Sequence, residues 1–342
     1  MITYALMGVL VLAMAATTLW GVKYNPDKNS FMSVEDTTFL RGFWCIIVVL
    51  VHVPATYQNR IQDMIGSFAY IGVTFFFMTS AYGLKWSLEH KEGYMDHFWQ
   101  RRLPPILIPA LMANAIGVLI RGVNGETVNL LSFVNINNWV KVLLLYYVVF
   151  WLIYGILPKI LRGVYWQDIV MCLIVVACSL IDRLTDIKIT SIWIVEPLGF
   201  AYGIVAAKYG NQIKNWLNEK WLAKCICLMI ASGILGIAYL KFKPVVFWGD
   251  YVLKIVLGIA ITLFIFTLIG KFKVGNKING FLGSISYEVY LLHGSAFSIA
   301  MMLGISDSGA FVCSAIIITI LVSACLKKLC TQLLRKRQVS LK

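Results

Sequence analysis

Long apolar runs alternate with short polar segments along the whole chain. A helix needs about 20 predominantly apolar residues to cross the hydrocarbon core of a bilayer. Eleven runs stand as candidate spans: 2–20, 40–57, 66–84, 103–120, 139–157, 168–182, 190–207, 221–240, 251–270, 281–304 and 309–326. The 168–182 run is short, and Glu196-Pro197 interrupts the next one. The first run lacks a basic leader and has no clear small-x-small cleavage site before Lys23, so it reads as a retained span rather than a signal peptide. The pattern predicts an all-α fold: a polytopic membrane helical bundle of about 11 transmembrane helices.

Composition agrees. Of 342 residues, 60% are hydrophobic and 13% charged, against roughly a quarter charged in a soluble domain. Such hydrophobicity excludes disorder, and so few charges could not cover a soluble core. The net charge of +14 would suggest nucleic acid in a soluble protein. Here the basic residues sit in short loops between apolar runs, so the charge describes membrane topology and no nucleic-acid partner is expected. With the N-terminus outside, 22 of the 30 basic residues fall on one side, among them Lys23, Lys85, Lys159, Arg162, Lys208 and the tail from Lys327. The positive-inside rule makes that side cytoplasmic. The expectation is a multi-pass plasma-membrane protein with its C-terminus in the cytoplasm and no attached soluble domain. The eight cysteines lie mostly within apolar runs or at their ends, and none forms a CxxC pair. Neither a disulfide framework nor a metal site is expected.

Ionisable groups at membrane depth are costly and invite a functional question. Four stand out: His52, Glu196, Glu288 and His293. Arg41 and His52 are eleven residues apart, which on a helix returns to within about 20° of one face, about 16 Å further along the axis. Arg41 then sits at the cytoplasmic mouth and His52 roughly halfway through. An imidazole there either acts as a general base near neutral pH or hydrogen-bonds a neighbouring helix. Arg101 and Arg102 either grip phosphate or anchor the helix at the positive side. Ser286, Tyr290 and His293 share one helix face at i, i+4, i+7, while Glu288 points elsewhere; their other reading is interhelical hydrogen bonding. Glu196 precedes Pro197, where its carboxyl can cap backbone groups that the break frees.

In order, these pieces resemble the acyltransferase 3 family of integral-membrane acyltransferases. The resemblance rests on Arg41-x10-His52, the Gly72-to-Tyr82 helix with Phe75-Phe76-Phe77 and Ser80, Phe98-to-Arg102, Asn138-Trp139, and Ser286-Tyr287-x-x-Tyr290-Leu291-x-His293. It covers roughly residues 38–325. Departures are Thr74 where the family often has Asp, Ala81 where it often has Gly, and Pro105 where it commonly has a further Arg. The resemblance implies a ten-helix core, here preceded by one N-terminal span. The corresponding division is 1–37 for that span and its loop, 38–326 for the core, and 327–342 for a basic cytoplasmic tail. It implies transfer of an acyl group, most often acetyl, from acyl-CoA to a hydroxyl of a cell-envelope glycan or lipid-linked saccharide. Acyl-CoA is then a co-substrate and no cofactor is permanently bound. By the same resemblance His52 and Arg41 are catalytic, and Arg101 and Arg102 hold the donor. Tyr290, His293, Glu288 and Glu196 are candidate substrate contacts. The rival from another class is a glycan or lipid transporter or flippase without acyl-transfer chemistry. It predicts matched repeats with broken helices, and Glu196-Pro197 has no obvious counterpart in the chain. The oligomeric state stays open.

Overall fold

A computed structural model describes residues 2–28, 30–157, 166–190 and 194–340, the last five as backbone only. Lys159, Arg162 and residues 191–193 of the expected 190–207 span lie outside the described residues. The elements in order are α1 (Ile2–Leu19), α2 (Val34–Val51), α3 (Arg60–Gly66), α4 (Ala69–His90), α5 (Phe98–Val123), α6 (Asn138–Trp151), α7 (Trp166–Leu184), α8 (Leu198–Lys208), α9 (Gly210–Asn218), α10 (Trp221–Phe242), α11 (Lys254–Lys271), α12 (Lys277–Met302) and α13 (Ser308–Ser340). A π-turn extends α6 to Ile156, and another, Trp248–Leu253, leads into α11. The protein is an all-α polytopic membrane protein. Seven helical stretches among the described residues are long and apolar enough to cross a bilayer: Ile2–Leu19, Arg60–His90, Phe98–Val123, Asn138–Ile156, Trp221–Phe242, Trp248–Lys271 and Ser308–Arg335. Helices α2 and α12, which carry Arg41 and His293, fall outside that set because charged and polar residues interrupt their apolar runs, whereas α5, with Arg102, lies within it. Helix α2 holds Glu35, Asp36 and Arg41, and α12 holds Glu288 and His293.

Two boundaries differ from the sequence reading, each for a local reason. The 40–57 run is helical from Val34, because the Ser33 hydroxyl caps the Asp36 amide at 3.1 Å with two acidic residues in the first turn. It stops at Val51, with His52 as the C-cap and Pro54 just beyond. A proline cannot continue the ladder and keeps the preceding residue extended. The second difference is at 190–207, where helix begins only at Leu198, with Pro197 at the N-cap. The eleven residues of α8 rise about 16 Å, roughly half a bilayer core. Irregular backbone at such depth is tolerated only where protein covers it; Val195, Glu196 and Leu198 are all buried.

The basic residues cluster at one end of the bundle. There β1 (Lys23–Tyr24) pairs antiparallel with β2 (Phe272–Lys273), joining the α1–α2 and α11–α12 loops. At the same end Asp168 ties α7 to α4 and α8 through Lys85 at 2.7 Å and Lys208 at 3.0 Å. Across the bundle, Thr3 meets Asp307, Lys243 meets Ser67, and Arg183 meets Asp250.

Helices α2 and α12 run side by side and parallel, with Gly42 opposite Gly283 and His52 opposite His293. The contact is backbone against backbone. A Cβ on Gly42 would strike Asn279 O and Gly283 N, and one on Gly283 would strike Thr38 O. Small residues let helices approach this closely where lipid provides no hydrophobic drive between them. This seam fixes α2, and with it Arg41 and His52, against the Ser286–Tyr290–His293 face of α12.

Candidate active site

Near the basic end, five helices surround a cavity of about 290 Å3. Arg41 enters it from α2, Ser80 from α4, Arg102 from α5, Tyr147 from α6 and Ser286 from α12. Among the described residues Arg41 bonds only within its own helix, to Thr37 O at 3.3 Å and Thr38 Oγ1 at 3.4 Å. Arg102 is held by the Tyr94 hydroxyl at 2.6 Å, with Ser87 and Gly83 O further off. No carboxylate pairs with either guanidinium among the described residues. Two uncompensated planar cations beside hydroxyl groups suit a phosphate-bearing ligand. Ser80 and Tyr147 share a 2.7 Å hydrogen bond across the cavity. Arg101 is exposed and does not line it. Consecutive helical residues point about 100° apart, so one cavity takes only one of the two arginines.

The histidines lie deeper. Ser286 is followed along one face of α12 by Tyr290 and His293, the last about 10 Å further up the axis. The His52 and His293 rings are 4.6 Å apart, and the Tyr290 ring is 5.8 Å from His293. His293 is 8% exposed, whereas His52 has an open face. Nδ1 of His52 lies 2.8 Å from Val48 O. A carbonyl can only accept, so Nδ1 carries the proton and the Nε2 lone pair is left to take another. Trp139 lines the cavity and also packs on Tyr290 at 4.7 Å, forming the wall between the arginines and the histidines.

The structure therefore brings together Arg41 and Arg102 in one group, and His52, His293 and Tyr290 in a second, adjoining one. It does not bring in the two glutamates. Glu288 is fully buried on another face of α12, 3.2 Å from Lys327. Glu196 lies 2.7 Å from Lys254 on α11, so its carboxyl holds a lysine instead of capping the break at Pro197. Tyr147, Ser80 and Trp139 were not singled out as site residues from the sequence. Tyr147 carried a weak sign, a hydroxyl in a largely apolar run, but the adjacent Tyr146 carries the same one.

A family model described as an acyltransferase domain, Acyl_transf_3, matches residues 36–328. The chain belongs to the acyltransferase 3 family. No curated protein and no solved structure matches it. Membership makes the protein a membrane acyltransferase that moves acyl groups other than aminoacyl groups, using an acyl donor, an acceptor and the lipid bilayer. The transporter alternative loses its support. The matched range takes in both groups of residues and begins within α2, after α1 and its loop.

Proposed function

We propose that this acyltransferase moves an acetyl or similar acyl group from acyl-CoA to a hydroxyl of a cell-envelope glycan or lipid-linked saccharide. One observation carries the reading: Arg41 and Arg102 face one cavity with no carboxylate to neutralise them. CoA presents phosphates that must stay at an aqueous edge, and a long, flexible arm that can extend inward to a thioester. A cationic cavity followed by a histidine about 16 Å beyond Arg41 matches that shape. The basic end of the bundle is then cytoplasmic, the membrane is the plasma membrane, and the N-terminus lies outside. Residues 1–37, 38–326 and 327–342 serve as added span, catalytic core and cytoplasmic tail.

In the proposed reaction His52 Nε2 accepts the proton of the acceptor hydroxyl. The oxygen attacks the thioester carbonyl, the carbon–sulfur bond breaks, and the imidazolium returns its proton to the departing thiolate. General-base assistance of this kind is worth about 10²–10⁴-fold. Arg41 and Arg102 hold the donor, while Arg101, exposed on the same turn, adds a cation at the cytoplasmic surface. Tyr290 and His293 line the approach to His52, and Glu196 and Glu288 support the helices through their lysines.

The test uses the purified protein with labelled acetyl-CoA. His52→Ala should abolish transfer while leaving acetyl-CoA binding and the thermal unfolding midpoint near those of the unaltered protein. Full transfer by that variant would refute the assignment. Cysteine labelling of residues 91–97 should succeed only from the cytoplasmic side, and labelling from outside intact cells would overturn the orientation.

A further inference from the structure

A second polar cavity, of about 520 Å3, lies at the opposite end of the bundle. Its walls include Thr3 and Tyr4 of α1 together with Gln58, Asn59, Arg60 and Asp63 around the start of α3. Its chemistry differs from that of the inner cavity. Two amides and three hydroxyls, those of Thr3, Tyr4 and Ser308, supply both donors and acceptors. Asp63 faces Lys243 at 3.7 Å, and beside the cavity Thr3 donates to Asp307 at 2.5 Å. Such a surface fits a hydroxyl-rich ligand, with the Arg60 guanidinium as a further donor. Tyr4, 54% exposed, offers a ring on which the apolar face of a sugar can stack.

The cavity also communicates with the histidines. Gln58 Nε2 donates to Val53 O, the residue after His52, at 3.2 Å. Asn59 bonds Ser308, which in turn bonds Tyr57 O. Tyr57 stacks on Phe311 at 3.8 Å, Phe311 on Phe297 at 6.1 Å, and Phe297 meets His293 at 5.9 Å. A ladder of ring contacts thus runs from Tyr57, next to the cavity residue Gln58, to the His52–His293 pair.

We infer that this outer cavity binds the saccharide part of the acceptor and that α1, which lies outside the matched acyltransferase domain, completes it. The inference rests on the proposed acyl transfer to a saccharide and names where that substrate is held. Helix α1 is seated for the role. Met7 is fully buried against the core, and Gly309 of α13 abuts the Thr3 backbone.

Tyr4 and Arg60 are exposed and make no hydrogen bond or ion pair among the described residues, so replacing them leaves the fold intact. The experiment expresses Tyr4→Ala/Arg60→Ala in cells lacking the native protein and reads acetyl groups on envelope saccharides by mass spectrometry. The same purified variant is assayed for labelled acetyl-CoA binding, and Leu12→Ala, on the outward face of α1, serves as a control. The double variant should lose roughly tenfold or more in saccharide acetylation, with acetyl-CoA binding unchanged and the control normal. Unchanged acetylation by the double variant overturns this inference alone. An unaltered protein that acetylates no saccharide overturns it together with the proposed function.

Discussion

Replacing Arg41 with Gln separates donor binding from folding unusually cleanly. The guanidinium makes two long bonds, at 3.3 and 3.4 Å, both to its own preceding turn, and has no ion pair to lose. Substitutions free of buried partners stay within about 0.5 kcal/mol, so the unfolding midpoint should move by no more than about 2 °C. A charge-assisted hydrogen bond to phosphate is worth about 1.5–3 kcal/mol. At about 1.4 kcal/mol per decade, KM for acetyl-CoA should rise roughly ten- to hundredfold. The effect on kcat should be small, because Arg41 lies about 16 Å along the axis from His52. Initial rates with purified protein and varied labelled acetyl-CoA supply KM and kcat, and calorimetry supplies the unfolding midpoint. Arg41→Lys should recover part of the affinity by restoring the charge without the planar fork. An unchanged KM in a variant that remains folded would remove the phosphate role from Arg41 and the principal support for acyl-CoA.

Gly283→Ala should destabilise the protein by about 1–3 kcal/mol through the collision with Thr38 O. Gly280→Ala, in the same helix with open space around it, should instead be neutral or stabilise by up to about 1 kcal/mol; equal midpoints for the two variants would refute the close α2–α12 seam. Lys327→Ala leaves the buried Glu288 carboxyl without its partner and should cost about 1–3 kcal/mol in unfolding experiments. The hydrogen bond from Thr3, reinforced by one from the Ala310 amide, holds the Asp307 carboxyl below the usual carboxylate range. A depressed folded value contributes stability above the unfolded pKa of about 3.9 and loses it as pH falls through the folded value. The protection of amides at the start of α1, relative to their intrinsic exchange at each pH, should therefore be steady from neutral pH down to about pH 4 and fall only in stronger acid; a fall near neutrality would contradict this.

The order of spans, the Arg41–His52 spacing and the shared face of Ser286, Tyr290 and His293 were legible because each follows from helical period within one segment. The meeting of His52 with His293 was not, since it depends on two glycines that set the register between helices 240 residues apart in sequence. Arg101 and Arg102 looked equivalent as neighbours, yet only the angle between them on α5 decides which one faces the cavity. Glu196 illustrates the same limit. A carboxyl before a proline suggested capping, and its partner Lys254 arrives from a helix that the local sequence does not mention. The sequence reading carried the segment on to residue 57, whereas α2 ends at Val51, three residues before Pro54.

An enzyme fed from both faces of a membrane risks short-circuiting the ion gradient that energises it. The rings described above flank the His52–His293 pair, Trp139 and Tyr290 toward the arginines, Phe297, Phe311 and Tyr57 toward the opposite end of the bundle. In the proposed reaction, a file of packed aromatic faces would hinder a chain of water and so limit proton leakage from one compartment to the other. Catalysis and insulation are thus served by the same stack, and thinning it should make vesicles leak before it makes the protein unfold.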